Sequence, residues 1–373
     1  MNKLKLLFIV NVDWLFISHR LPIALAAIDN GYEVHIATTI TKFEKKLKEK
    51  GLIVHSINFK RSGSNPFIVM KSFIDILILY FRIKPNLVHL VTIQPLILGS
   101  IAAKFNSSIA VIAAVSGLGY VFSSEGFYAT IRRHLVIIMY RLALTKKKIY
   151  VIFQNNFDLQ TIIKNTAINK AKALLIKGSG VDLTKYKKTS IKKDKHVILF
   201  AGRLLKSKGL REFLYAAANL NYKAKFVVAG KLDFENKDCI SKDELYESIK
   251  KNHIEYLGHT EDMTSVISSS SIVCLPSYYG EGLPLILVEA ASSGRPIITT
   301  DHPGCRDAII DGISGILIPK KDKGALTNAI NMLLKNYNLM KKMGEKGRKY
   351  AEENFDINLI INQHLEIYAK LSK

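Results

Sequence analysis

The sequence predicts an α/β protein of two doubly wound, mostly parallel domains in tandem. Three observations carry this. Short apolar runs alternate with stretches of helical period along nearly the whole chain, the βα pattern of a parallel sheet covered on both faces. The 373 residues, 48% of them hydrophobic, suffice for about two domains with cores of their own. Between the two alternating regions lies Leu183–Lys195, with seven charged residues and no apolar periodicity, which makes a natural boundary.

In chain order, Leu4–Val10 reads as a first buried strand. The opening Met1 to Val10 could pass for a short signal peptide, but it runs into Asn11-Val12-Asp13 without a small-residue cleavage site. A loop from Asn11 to Pro22 follows, then a helix to about Asn30 that Gly31 ends. Strands at Glu33–Thr38, 53–57, Leu87–Val91, Ile109–Ala113, Ile149–Phe153 and Ala173–Ile176 alternate with helices near 42–50, 67–82, 95–105 and 127–144. Ligands of such sheets bind at the carboxyl ends of the strands, which points to loops around 11–20, 92–95 and 114–124. Asp13 and His19 are candidate contacts there, His19 with the alternative of a local hydrogen bond at a helix start. Ser116-Gly117-Leu118-Gly119 is a glycine loop after a strand, a short phosphate-binding pattern. His89, inside an apolar strand, reads as a core histidine.

Charge is unevenly spread. The formal net charge is +23, and residues 1–190 hold 27 Lys and Arg against 9 Asp and Glu, whereas residues 191–373 hold 27 against 22. A basic first half suggests an anionic surface as partner, lipid or nucleic acid. Ala129 to Lys148, apolar in the middle and basic at its ends, reads as an interfacial helix on anionic lipid, the alternative being a core helix with solvated ends. No run of eighteen uncharged apolar residues exists, so no membrane span is expected. Cys239, Cys274 and Cys305 form no short-spaced pair, which argues against a disulfide framework or a zinc site.

The second half opens on strand His196–Gly202, the loop Arg203 to Gly209 and a helix over about 210–220. Arg203 leaves a strand end and Lys208 precedes a helix N-terminus. Both cations can therefore converge where helix N–H groups also point, and a pyrophosphate needs that charge. Strand Lys225–Gly230, a polar stretch and Ile254–Gly258 follow. The next segment, Ser277 to Gly294, is a loop that runs into a helix. Pro284 suits the first helical position, Gly294 closes the helix, and Gly280 and Gly282 let the backbone approach a ligand closely. Glu281 lies in the loop. Glu289 lies among Leu285, Ile286, Leu287, Val288, Ala290 and Ala291, where a carboxylate is costly to bury unless hydrogen-bonded. A sugar or ribose diol would serve; so would solvent or an arginine.

Glu281-Gly-Leu-Pro-Leu-x-x-x-Glu-Ala290, with Tyr278-Tyr279-Gly280 before it and Ser293 to Ile298 after it, resembles the signature of the retaining, nucleotide-sugar-dependent glycosyltransferases of family four, which have the GT-B fold. Gly202-Arg-Leu-x-x-x-Lys-Gly209 is similar to that family's phosphate-binding pair, and Gly178-Ser-Gly-Val-Asp182 to the turn before its interdomain linker. Ser18-His19-Arg20-Leu21-Pro22 resembles the subgroup acting on lipid-linked glycans.

The resemblance implies two Rossmann-like domains facing across a cleft: residues 1–182 on the acceptor side, linker 183–195, residues 196–353 holding the nucleotide-sugar, and a helical tail, 354–373, crossing back to the first domain. It implies a donor site of Gly202, Arg203, Lys208, Glu281, Gly282, Leu283, Pro284, Leu285 and Glu289. Arg203 and Lys208 would neutralise the departing diphosphate, Glu281 orient the sugar and Glu289 hold the ribose. Many members have a glycine pair where this chain has Asn11-Val12-Asp13, and a histidine in the loop where it has Ser116 and Gly117, so Ser116 or a backbone group would stand in. No Asp-x-Asp occurs, so neither a metal nor another cofactor is expected.

The implied reaction moves a hexose or N-acetylhexosamine from a nucleoside-diphosphate sugar, UDP-linked by preference, to a polyprenyl-diphosphate-linked glycan in bacterial polysaccharide assembly. The basic first domain would rest on the inner face of the cell membrane. Three rivals stand beside this reading. A nucleotide-sugar epimerase of similar fold would need no acceptor. A dinucleotide-dependent dehydrogenase would want Gly-x-Gly-x-x-Gly after the first strand, which is absent. A nucleic-acid-binding protein would explain the charge but not the glutamate motif, so nucleic acid is not expected as a partner.

Overall fold

The computed structural model describes residues 3–59, 66–119, 122 and 126–372. The chain forms two compact units. One holds the residues up to Gly180 together with those from Ile357 onward; the other is Val181–Asp356.

The first unit is built on a seven-stranded parallel sheet: β1 (Lys5–Val12), β2 (Glu33–Thr39), β3 (Ile53–Ser56), β4 (Leu87–Val91), β5 (Ala110–Val115), β6 (Ile149–Phe153) and β7 (Ala173–Leu175), in the order β3-β2-β1-β4-β5-β6-β7. β4 and β5 are buried along their whole length, because helices cover both faces of the sheet. Those helices are α1 (Asp13–His19), α2 (Leu21–Asp29), α3 (Glu44–Glu49), α4 (Pro66–Ile83), α5 (Ile93–Ala102), α6 (Phe127–Ala143) and α7 (Asn156–Asn165), with the C-terminal helix Ile357–Ser372 packed among them.

The segment expected as a loop after β1 is instead helix α1. Asp13 makes this possible: its buried carboxylate accepts the N–H of Trp14 at 2.8 Å, and it also fastens the Thr41–Phe43 segment through the Thr41 N–H and hydroxyl, both at 2.7 Å. His89 is a core histidine. It is fully buried, its Nδ1 lies 2.7 Å from the Tyr368 hydroxyl, and its ring stacks on Phe8 and His364.

The second unit has a six-stranded parallel sheet: β8 (Val197–Ala201), β9 (Lys225–Ala229), β10 (Glu255–Gly258), β11 (Ile272–Leu275), β12 (Ile297–Thr300) and β13 (Gly315–Ile318), in the order β10-β9-β8-β11-β12-β13. Its helices are α8 (Leu210–Asn219), α9 (Lys242–Lys251), α10 (Met263–Ser269), α11 (Leu285–Ser292), α12 (Lys323–Lys335) and α13 (Tyr337–Asn354). The stretch 183–195, expected to be a linker, is stapled to this unit. Tyr186 and Ile191 enter its core, and the carbonyls of Tyr186 and Thr189 accept from Arg348 and Arg295 at 2.8 and 3.0 Å. The lysines of that stretch hide two apolar anchors. Among the described residues, no helix is long and apolar enough to cross a membrane.

Candidate active site

In the second sheet the strand order reverses between β8 and β11, and ligands of doubly wound sheets bind outside such a switch point. The loops that leave these two strands are Gly202–Gly209 and Pro276–Pro284, the two segments singled out from the sequence. They are sewn together by the Tyr278 N–H, which donates to the Ser207 carbonyl at 2.8 Å. Asp238 braces the same turn by accepting the Ser207 N–H at 2.9 Å and its hydroxyl.

Gly209 is what lets the loops touch. Its φ is +79°, and a Cβ there would run into the carbonyl of Pro276. Gly209→Ala is therefore expected to cost about 1–3 kcal/mol for the left-handed backbone alone. The melting transition of the variant should fall by at least several degrees, and nucleotide affinity should fall with it as the loops separate. Gly230 has a similar duty, since a Cβ there would collide with the carbonyl of Gly202.

This stitching brings three of the sequence-predicted residues together. Lys208 Nζ pairs with Glu281 Oε1, and the two side chains are only 11% and 13% exposed. Ser277 Oγ donates to the same carboxylate at 3.3 Å. Arg203 approaches Asp233 at 3.3 Å and lies over the ring of Tyr279, 5.4 Å from its centroid, while Lys208 Nζ is 5.8 Å from that centroid. Tyr279 thus touches both cations, favourably for its ring quadrupole. Burial works to lower the pKa of Arg203, but Tyr279, Glu281 and Asp233 outweigh it and the net shift is upward, so the guanidinium is firmly charged. The arrangement is a buried-to-half-buried cluster of two fixed cations and two carboxylates, Glu281 and Asp233, at a strand terminus. Such a cluster can hold a diphosphate and stabilise charge growing on it.

Gly282, Leu283 and Pro284 are buried beside this cluster and Leu285 is half-buried. Gly304 packs behind them so tightly that a Cβ would meet the carbonyls of Glu281 and Gly282. Pro284 is not the first helical residue. Its φ of −63° suits a helix, but its ψ of 121° is still extended, so α11 begins one residue later, at Leu285.

Glu289 has a partner that the sequence did not suggest: the Tyr186 hydroxyl donates to its Oε1 at 2.6 Å. The residue keeps some accessible surface, yet packing around the carboxyl pushes its pKa up to about 7. Burial is the main cause, opposed by the Tyr186 hydrogen bond and by Lys185.

The remaining candidates lie in the first unit. Asp13 is buried, its carboxylate accepting from Trp14 and the Thr41–Phe43 segment as described above. The His19 Nδ1 lies 2.6 Å from Ser18 Oγ, the local hydrogen bond of the alternative reading. Ser116 and Gly117 follow β5, with Gly117 at φ +98°. Tyr279, Asp233 and Tyr186 were missed as site residues. Thr92 lies in the loop around 92–95 that the sequence pointed to: a β-branched residue at φ +74° after β4, its hydroxyl donating to Asn11 Oδ1 at 2.8 Å, beside the β1/β4 switch point of the first sheet. Strain of this kind in a threonine marks a constrained position.

Two doubly wound units, the second with cations and carboxylates at its switch point, define the GT-B class of two-domain enzymes. The comparisons agree. Residues 182–350 match the family "Glycosyl transferases group 1", and residues 5–155 match "Glycosyl transferase 4-like". The chain belongs to these glycosyltransferases, with a 4-like domain followed by a group 1 domain. It is 28% identical over 367 residues to the N,N'-diacetylbacillosaminyl-diphospho-undecaprenol alpha-1,3-N-acetylgalactosaminyltransferase of Campylobacter jejuni, covering 95% of each chain. It is 27% identical over 320 residues to the UDP-Gal:alpha-D-GlcNAc-diphosphoundecaprenol alpha-1,3-galactosyltransferase of Escherichia coli, covering 81% of this chain and 80% of that one. Its fold is that of Anabaena Alr3699/HepE, solved in complex with UDP and glucose, with a TM-score of 0.78 at 19% identity over 98% of this chain and 100% of that one.

Proposed function

We propose that this glycosyltransferase moves a hexose or N-acetylhexosamine from a nucleoside-diphosphate sugar, UDP-linked by preference, to a polyprenyl-diphosphate-linked glycan of a bacterial surface polysaccharide, with retention at the anomeric carbon. The observation that carries the proposal is the convergence of Arg203, Lys208 and Glu281 on one loop pair at the switch point of the second sheet. In the structure Lys208 and Glu281 pair with each other. When the donor enters, its diphosphate takes the positive charge of Lys208 and Arg203, and Glu281 is released to accept from the sugar hydroxyls. As the C–O bond to the diphosphate breaks, the two fixed cations meet the charge that grows on the leaving oxygen, the duty a metal ion would otherwise perform. Glu289 takes the ribose.

The acceptor class rests on the two bacterial relatives, whose names specify diphospho-undecaprenol acceptors. The site of action that follows is the inner face of the cell membrane, with the basic first unit and α6 against anionic lipid. Calorimetric titration of the protein with UDP, GDP and ADP, repeated on Arg203→Ala, tests the donor site. Binding of one nucleotide, weakened at least about tenfold in the variant, is the expected result. A nucleotide-sugar epimerase would instead convert the donor with no acceptor present.

A further inference from the structure

The first unit carries an apolar face that its own fold leaves uncovered. The connections β3 to β4, β4 to β5 and β5 to β6 all step the same way along the strand order, so right-handed crossovers set α4, α5 and α6 on one side of the sheet. α5 is apolar all round and buried from Pro95 to Ser100, and the Tyr80 hydroxyl of α4 donates to its Gly99 carbonyl at 3.1 Å. α4 and α6 flank α5 in this layer, with α7 beyond α6. α4 turns Ile76, Leu79, Tyr80 and Ile83 inward, yet on its opposite side Met70, Ile74, Ile78 and Phe81 are 47–63% exposed. α6 turns Tyr140 and Ala143 inward and presents Ile131, Leu135, Ile138 and Leu142 at 44–57%. Both outward sets recur at helical spacing, so each helix is apolar on two sides, which a helix lying only on its own core has no reason to be.

Charge decides what covers these stripes. Lys71 and Arg82 on α4, and Arg141, Lys147 and Lys148 at the end of α6, are exposed beside them, in the half of the chain that carries a net +18. A second copy of the same face would bring its own positive charge against this one. A bilayer with anionic headgroups meets the apolar stripes and the basic residues together.

We propose that α4 and α6 form one two-helix face that lies in the headgroup boundary of an anionic bilayer, with α4 inserting alongside α6. The sequence pointed only to α6. The proposal rests on the reading of the acceptor as lipid-linked and adds the surface that meets the lipid.

The test is flotation of the full chain with vesicles of phosphatidylethanolamine and phosphatidylglycerol, and with vesicles of phosphatidylcholine alone. Ile74→Glu/Ile78→Glu on α4 and Leu135→Glu/Ile138→Glu on α6 should each lower binding to the anionic vesicles at least about tenfold, with melting and nucleotide titration unchanged. Ile74→Ser/Ile78→Ser gives the same reading in milder form should the glutamates disturb folding. Full binding by a folded α4 variant would overturn the proposal. So would equal binding of the wild type to phosphatidylcholine, or a lipid-free dimer that the α4 variant renders monomeric. Vesicle binding that is lost in the α4 variant, in a protein that takes up no nucleotide, would support the face and sink the transferase reading separately.

Discussion

Replacing Lys208 with alanine is expected to lower kcat by about a hundredfold to a thousandfold, the usual cost of removing one group that meets charge developing in the transition state. Arg203→Ala should do the same, since both cations sit against Tyr279 at the site proposed for the diphosphate. The two variants should differ in stability. Lys208 is the ion-pair partner of Glu281, and both are nearly buried. Its removal takes the ion-pair partner from a nearly buried carboxylate and should cost about 3 kcal/mol, or roughly 6–12 °C in the melting of a unit of this size. Arg203 is 32% exposed and 3.3 Å from Asp233, itself only 8% exposed, so its loss should cost less than that of Lys208 but still lower the melting temperature. Lys208→Ala/Glu281→Gln separates the effects: neutralising the carboxylate that lost its ion-pair partner should recover most of the melting temperature and none of the turnover. The measurements are steady-state kinetics and scanning calorimetry on the four proteins. A kcat for Lys208→Ala within about threefold of the wild type would remove Lys208 from the chemistry.

What could be read from the chain, and what could not, follows from the range of the interactions involved. β4 and β6 stand at the residues read from the sequence because each is a short apolar run that its own composition delimits. Helix α1 escaped notice because its anchor, Asp13, bonds to Thr41 and Phe43, nearly thirty residues away. The loop of Arg203 and Lys208 and the loop of Glu281 were each visible as a glycine-spaced motif. Their contact depends on β11 lying next to β8 and on Gly209 against Pro276, and neither is written in local spacing. Tyr186 was hidden by its neighbours. A tyrosine among lysines looks like part of a solvated linker until the fold sets its hydroxyl on Glu289, 103 residues on. Pattern reading finds residues whose duty is declared nearby and misses those whose partner is supplied by topology.

Nucleotide-sugar binding should tighten as pH rises from 6 to 8, and Glu289 should be the cause. Its pKa in the folded protein is about 7, well above the ordinary value of 4.5. The fold therefore favours the protonated form, and this group's contribution to stability falls as pH climbs from about 4.5 through 7 and is level beyond. Ribose hydroxyls donate, so the donor selects the ionised form. From pH 6 to pH 8 the ionised fraction rises from about one tenth to about nine tenths, which predicts a change in affinity of up to roughly ninefold. The pyrophosphate of a nucleotide-sugar has no proton to lose in this range, and the cation acting on Glu289 is Lys185, a residue type that ordinarily titrates well above it, so the slope reports the carboxyl. Tyr186→Phe removes the one hydroxyl that lowers the pKa of Glu289 and should move the midpoint upward, while Glu289→Gln should bind weakly at every pH and flatten the profile. Titration calorimetry of the three proteins at several pH values gives all three results. A wild-type profile that is flat from pH 6 to 8, or a slope that survives in Glu289→Gln, would take the ribose away from Glu289 and return this carboxyl to a purely structural pairing with Tyr186.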